Sequence, residues 1–258
     1  MDFGICELSV IPLRSETSHK SEIVSQLLFG ETYQILEKKP EWLRIRTTYD
    51  DYEGWMERKQ FEPISAGQYK KLANSKQPVA LEVASAATSA KRKIPILIGS
   101  TLPEFDGMNF KIDDEQFVYN GQAILPDASY DYDKIIEKCT LKFLHAPYLW
   151  GGRSPFGIDC SGFTQVVFKL LGVTLKRDAY QQAMQGRDVD FIDLAKEGDL
   201  AFFENKEGKI THVGIILKDK RLIHASGKVR IDRVDSFGIF NEETKKYSHN
   251  LKVVKRML

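Results

Sequence analysis

Three stretches near the start of the chain, Ile23 to Leu28, Thr32 to Glu37 and Trp42 to Thr48, are β-branched, aromatic or aliphatic, and Gly30, Pro40 and Asp50-Asp51 separate them. Short apolar runs bounded by turn residues predict strands. Gly54-Trp55-Met56 adds a closing strand, so residues 1–65 read as a small barrel or sandwich. Residues 66 to 92 shift toward Ala, Ser, Lys and Gln, which predicts a linker or a poorly packed connection. A second β-rich stretch follows in Ile94 to Ile98, Phe110 to Ile112 and Gln116 to Tyr119. It is about as long as the first and reads as a diverged second module within residues 66–127, although no strict internal period marks it.

From residue 128 the pattern changes. Ile135, Ile136, Cys139 and Phe143 suit a helix over Tyr132 to Leu144. Phe163, Val166, Val167, Leu170 and Leu171 fall on one face of a predicted amphipathic helix that Gly172 ends. Thr211 to Leu217 and Arg221 to Ala225 then read as two strands around a charged turn. Helices followed by antiparallel strands make residues 128–258 an α+β domain.

Composition narrows the function classes. Of 258 residues, 42% are hydrophobic and 28% charged, as in ordinary globular chains. The charges, 37 basic against 36 acidic, give a net +1, which offers no basic excess for nucleic acid. No apolar run reaches the roughly 18 residues that a membrane helix needs. The first residues, Met1-Asp2-Phe3-Gly4-Ile5-Cys6-Glu7, lack the basic and apolar regions of a secretory signal, so a cytoplasmic protein is expected. Three cysteines are too few and too odd in number for a disulfide framework.

Chemistry concentrates on Cys160. It lies in Phe156-Gly157-Ile158-Asp159-Cys160-Ser161-Gly162, at the start of the second predicted helix. A helix N-terminus favours negative charge, so a cysteine there is biased toward thiolate. Cys139 reads as core, and Cys6 has no evident partner. A cysteine nucleophile needs a base and a group to orient that base. His212 opens one C-terminal strand and His224 sits in the next, beside the small Gly214 and Ala225. The two share a face only if the intervening turn has an odd number of residues. A loop of Lys218 to Lys220 would make them diagonal neighbours. His19, His145 and His249 read as loop or surface residues. Cys160, His212 and His224 are also zinc-ligand types, but the paired spacing of a zinc site is missing. Phosphate-loop and dinucleotide fingerprints are absent as well, so no cofactor is expected.

Pro147-Tyr148-Leu149-Trp150-Gly151-Gly152 with Gly157-Ile158-Asp159-Cys160-Ser161-Gly162-Phe163 resembles the nucleophile segment of NlpC-type papain-like cysteine peptidases. Gly198 to Phe203, Thr211 to Ile215 and Leu222 to Ser226 resemble that family's later segments in the same order, over about Tyr130 to Leu258. The resemblance implies Cys160 as nucleophile, His212 as base, His224 as orienting group, and Tyr148 beside the Cys160 N–H at the oxyanion. The N-terminal modules are similar to the two bacterial SH3-like barrels that precede one subgroup of these enzymes. That subgroup cleaves L-Ala-γ-D-Glu-diamino-acid peptides, with the first barrel capping the substrate amine.

By that resemblance Glu31, Tyr52 and Asp159 are the expected amine-capping acceptors, with an exposed turn carboxylate as the plainer account of Glu31. Ser161 and Asp178 are expected substrate contacts, and Trp150 an expected cleft wall or core aromatic. Ala179 departs from the family's Ser or Thr and removes one substrate hydrogen bond. The expectation is therefore a monomeric, cofactor-free muropeptide peptidase serving wall-peptide recycling. Its rivals are a non-catalytic peptidoglycan-binding protein and a related thiol amidase or acyltransferase.

Overall fold

The computed structural model describes residues 2–127 and 135–257. The chain divides into two compact units, one of Met1–Pro126 with Trp150–Pro155 and one of Asp127–Leu149 with Phe156–Leu258.

The first unit opens with strands β1 (Phe3–Ile5), β2 (Val10–Arg14), β3 (Ile23–Leu28), β4 (Thr32–Lys38), β5 (Trp42–Thr47), β6 (Glu53–Glu57) and β7 (Glu62–Ile64). They form one antiparallel sheet in the order β3-β2-β6-β5-β4-β1-β7. The alternating apolar positions Ile11, Leu13, Tyr33, Ile35, Leu43, Ile45 and Met56 converge on one core. The strands expected from residue 23 to residue 57 are present, with β1, β2 and β7 added around them.

The expected linker is not one. Residues 66 to 92 carry helix α1 (Ala66–Ala73), strand β8 (Val79–Ala80) and strand β9 (Ala84–Thr88). Ser65 caps α1 by accepting from the Gln68 N–H at 3.1 Å, and the helix buries only Leu72. Strands β10 (Lys93–Leu97), β11 (Asn109–Ile112) and β12 (Glu115–Tyr119) join β9 in a second sheet, and β13 (Ala123–Ile124) pairs with β8. Ile5, Phe29 and Ile64 of the first module pack with Leu72, Ala87, Ile96, Phe110 and Phe117, so one core runs across residue 65. Strand β14 (Arg153–Ser154) also belongs to this unit. Buried Arg153 donates Nη1–H to Glu31 Oε2 at 2.8 Å and Nη2–H to Glu31 Oε1 at 3.0 Å, and its Nη1 also reaches the Gln26 carbonyl at 2.6 Å.

In the second unit, helix α2 spans Ile136–Leu141, and the earlier part of the helix expected from Tyr132 lies outside the described residues. Strand β15 (Gly157–Ile158) leads into helix α3 (Cys160–Leu170). The amphipathic reading of α3 is corrected, because each of its residues is buried. The chain after it covers its polar side: Thr164 Oγ1–H donates to Gln182 Oε1 at 2.7 Å, and Gln165 Nε2–H to the Leu175 carbonyl at 3.0 Å. Helix α4 (Ala179–Gln182) and strand β16 (Arg187–Val189) follow.

Six further strands are β17 (Leu200–Glu204), β18 (Ile210–Leu217), β19 (Arg221–Ser226), β20 (Lys228–Val234), β21 (Gly238–Asn241) and β22 (Lys246–Arg256). Each pairs antiparallel with the next, and β22 also pairs with β17, so this ladder closes on itself. Among the described residues, no helix is long and apolar enough to cross a membrane.

Candidate active site

The nucleophile candidate is placed by a capped helix start. Asp159 is the N-cap of α3 in an extended conformation, and its Oδ1 accepts the Gly162 N–H at 2.6 Å. Cys160 is therefore the first helical residue, where backbone N–H groups lack intrahelical partners. Buried Arg177 holds the cap, with Nη2–H to Asp159 Oδ2 at 2.6 Å and Nη1–H to Oδ1 at 3.1 Å and to Ser161 Oγ at 2.9 Å. Asp178 caps α4 in a box with Gln181, and Gln182 ties back to the Ser161 carbonyl at 3.0 Å.

The base candidate comes from a strand pair whose loop has three residues, because Leu217 pairs with Arg221 and Gly214 with His224. The odd loop puts His212 and His224 on one face as diagonal neighbours. His212 Nε2 lies 2.8 Å from His224 Nδ1. Gly214, directly opposite His224, leaves room for it: a Cβ there would lie 2.9 Å from the His224 Cβ. The Val213 and Ser161 N–H groups lower the pKa of the Cys160 thiol, and α3 packs against the strand carrying His212.

Burial governs the charges. It pushes the Cys160 thiol up to about 12, reinforced by the Asp159 carboxylate and only partly offset by the Val213 N–H and Arg177. Burial and the neighbouring His224 and His249 hold His212 well below an ordinary histidine. The thiolate bias expected at the helix start is thus overridden by desolvation. Burial therefore favours the uncharged forms of both the Cys160 thiol and the His212 imidazole. Burial, with the charges of Cys160 and Asp159, also pushes the Tyr148 phenol up to about 12, so it stays a hydrogen-bond donor. Tyr148 is pinned by its N–H to the Gly227 carbonyl at 3.0 Å and by a bridge to Ile158.

Three residues here were not legible from motifs. His224 Nε2 lies 3.0 Å from Asp232 Oδ2, and Asp232 receives the Arg230 Nη2–H at 2.9 Å. His249, expected at the surface, instead stacks on His212 with ring centroids 4.2 Å apart and 23° between planes. Burial and the nearby His224 lower His249 to about 4, against a smaller upward pull from Asp232. Its signal was only that β22 must lie beside β17, which is invisible without the closed ladder.

The second unit thus gathers Cys160, His212, His224, Tyr148, Asp159 and Ser161, with Asp178 at the neighbouring helix start. Glu31, Tyr52 and Trp150 belong to the first unit. Glu31 is 5% exposed, which rules out the exposed-turn account of it, and it also accepts the Leu28 N–H at 2.9 Å. Tyr52 sits at the β5–β6 turn, its N–H bonded to Thr47 Oγ1 at 3.0 Å. Trp150 is 59% exposed and donates its indole N–H to Glu22, so it is not a core aromatic. None of the three cysteines forms a disulfide. Among the described residues, no group of three or more His, Cys, Asp or Glu side chains is arranged to hold a metal ion.

Residues 145–247 match the NlpC/P60 family, and residues 13–61 match the bacterial dipeptidyl-peptidase Sh3 domain. A gamma-D-glutamyl-L-lysine dipeptidyl-peptidase of Bacillus subtilis is 32% identical over 217 residues, covering 79% of this chain and 72% of that protein. A dipeptidyl-peptidase 6 of Lysinibacillus sphaericus is 27% identical over 248 residues, or 86% of this chain and 88% of the relative. The crystal structure of an NlpC/P60 family protein from Bacillus cereus superposes over 99% of both chains with a TM-score of 0.83 at 19% identity, a likeness of fold. With a relative 32% identical over 79% of the chain and two family models matching in order, the chain belongs to the NlpC/P60 family of cysteine peptidases and carries an N-terminal bacterial dipeptidyl-peptidase SH3 domain.

Proposed function

We propose that the protein hydrolyses the γ-D-glutamyl–diamino-acid bond of short peptidoglycan stem peptides that begin with a free L-Ala. The observation that carries the reading is a cysteine at a capped helix start, on a helix packed against the strand of a 2.8 Å histidine pair. The names of the Bacillus subtilis and Lysinibacillus sphaericus relatives support the substrate class.

In the proposed reaction, Cys160 Sγ attacks the γ-carbonyl while its proton passes to His212 Nδ1, the ring nitrogen not engaged by His224. The Cys160 N–H and the Tyr148 hydroxyl stabilise the oxyanion. His212 then protonates the leaving amine, and water with His212 as base releases the dipeptide from the thioester. Ser161 and Asp178 are the proposed contacts to the stem peptide. Trp150 is a proposed wall for it, an exposed aromatic able to cover an apolar substrate face.

Glu31, Tyr52 and Asp159 are the proposed acceptors for the substrate amine, with Glu31 acting beside its Arg153 partner. We also propose that the sheet of β9 to β12 is a second SH3-like barrel. The enzyme would act as a cytoplasmic monomer on imported wall peptides, a compartment where unpaired thiols persist.

Mass spectrometry of L-Ala-γ-D-Glu-meso-diaminopimelate and of its L-lysine and N-acetyl counterparts tests this, with Cys160→Ala as control. Release of L-Ala-D-Glu by the wild type alone, and only from free-amine peptides, is the expected result. Cleavage of the acetylated peptide would remove the amine cap and the recycling role. No cleavage of any peptide by folded protein would leave a peptidoglycan-binding role or another acyl substrate.

A further inference from the structure

We infer that Asp232 is a positioning residue that sets the tautomers of both site histidines, leaving the unprotonated nitrogen of His212 for Cys160. The inference rests on the triad reading and extends it by one strand. Register supplies the geometry: His224 pairs with Arg230 and Leu222 with Asp232, so Asp232 is the diagonal neighbour of His224 on its far side. The contacts run diagonally across three strands, from His212 on β18 to His224 on β19 to Asp232 on β20.

Each contact restricts the next. Arg230 donates Nη2–H to Asp232 Oδ1 at 2.9 Å and places Nε 2.7 Å from Oδ2, which keeps the carboxylate anionic. Burial alone would raise the Asp232 carboxyl, but the hydrogen bonds from His224 and Arg230 outweigh it and hold it below the usual range. A carboxylate only accepts, so His224 Nε2, at 3.0 Å, must carry a hydrogen. In the tautomer that donates from Nε2, His224 has its lone pair at Nδ1, which an N–H on His212 Nε2 meets at 2.8 Å. That leaves His212 Nδ1 unprotonated, ready to take the thiol proton. The opposite tautomers would set a ring lone pair against a buried carboxylate.

Asp232→Asn reverses the chain of donors. The Arg230 Nη2–H holds the amide oxygen at the Oδ1 position, the amide NH₂ takes the Oδ2 position facing His224 Nε2, and both rings become Nδ1–H tautomers. His212 then presents a hydrogen to Cys160 and cannot act as base. The other titratable groups around the pair are Cys160, Tyr148, Asp159 and Arg177 on the nucleophile side, His249 on β22, and Glu243 beyond Arg230.

The direct test is histidine ¹⁵N NMR of the full chain in the Cys160→Ala background, which needs no substrate. The expected result is Nε2–H tautomers for His212 and His224, switching to Nδ1–H with Asp232→Asn. Mixed tautomers before the change, or no switch after it, would overturn the inference.

Kinetics supply the second arm. Asp232→Asn should lower kcat by at least about 100-fold with little change in KM, and activity should climb with alkaline pH where the wild type is flat. In a His224→Asn background, where an amide oxygen accepts from His212 unaided, Asp232→Asn should cost less than about threefold. An equal loss in both backgrounds would mark Asp232 as merely structural and overturn the inference. A wild type inactive on all the peptides would instead count against the proposed substrate, and the NMR result would still decide the role of Asp232.

Discussion

Arg177 offers a quantitative test of how the nucleophile is held. It is 1% exposed and donates three hydrogen bonds of 2.6 to 3.1 Å to Asp159 and Ser161, on either side of Cys160. Arg177→Met keeps the volume of the stem but leaves the buried Asp159 carboxylate without its cation. Breaking one side of a buried ion pair costs about 3–5 kcal/mol. For a unit of this size, that corresponds to a fall in Tm of roughly 10–15 °C. The Asp159→Asn/Arg177→Met double variant removes both charges and should recover at least about 2 kcal/mol relative to the sum of the singles.

Calorimetry on the four proteins of that cycle reads the coupling directly. Activity adds a second axis. Asp159 raises the Cys160 thiol and Arg177 lowers it, so Arg177→Met should also slow the reaction at neutral pH. A Tm within about 3 °C of wild type, the shift of roughly 1 kcal/mol, or additive single effects, would refute the claim that this ion pair anchors the helix start.

Three further outcomes are expected. Gly214→Ala puts a Cβ 2.8 Å from Leu222 Cδ2 and 2.9 Å from the His224 Cβ, so kcat should fall by about tenfold or more with KM little changed, read in steady-state assays. His249→Phe keeps a ring against His212 and should retain most activity, whereas His249→Ala should lose several-fold in kcat; equal losses would show that the stack is irrelevant. Because His212 and His249 both bind protons less readily folded than unfolded, stability should decline as pH falls below about 6.5, so the urea midpoint at pH 5 should lie below that at pH 7.

The placement of Cys160 at a helix start and of His212 beside His224 was legible because the signals are local: a cysteine preceding an apolar helical stripe, and two strands whose loop length fixes facing. The rest was hidden for physical reasons. Lys228 to Val234 alternates charged and apolar residues as a solvent-facing strand would, yet Asp232 is 4% exposed once the ladder closes. His249 lies in the polar run Lys246 to Asn250, and only the pairing of β22 beside β17 brings it onto His212. Residues 66 to 92 looked unstructured because their helix buries one leucine and their two strands contribute Ala80 and Ala87, side chains too small to register as core. Nothing local in the sequence reveals the carboxylate partners that make the burial of Arg177 and Arg153 tolerable.

The closed ladder of the second unit also bears on how this fold is reached. Leu200 pairs with Ile215 on one side and with Lys255 on the other. The first partner is close in sequence, whereas the second requires a long loop to close, which is the slow kind of contact. Until β22 docks, β17 and β21 are bare edges, and β17 exposes the unpaired N–H and C=O groups of its apolar stretch Leu200 to Phe203 to other chains. Lys246, Lys252, Lys255 and Arg256 on the closing strand discourage such mispairing by repelling a second copy. The strand that seals the ladder also delivers His249 to His212, so the environment of that histidine is complete only once the ladder has closed.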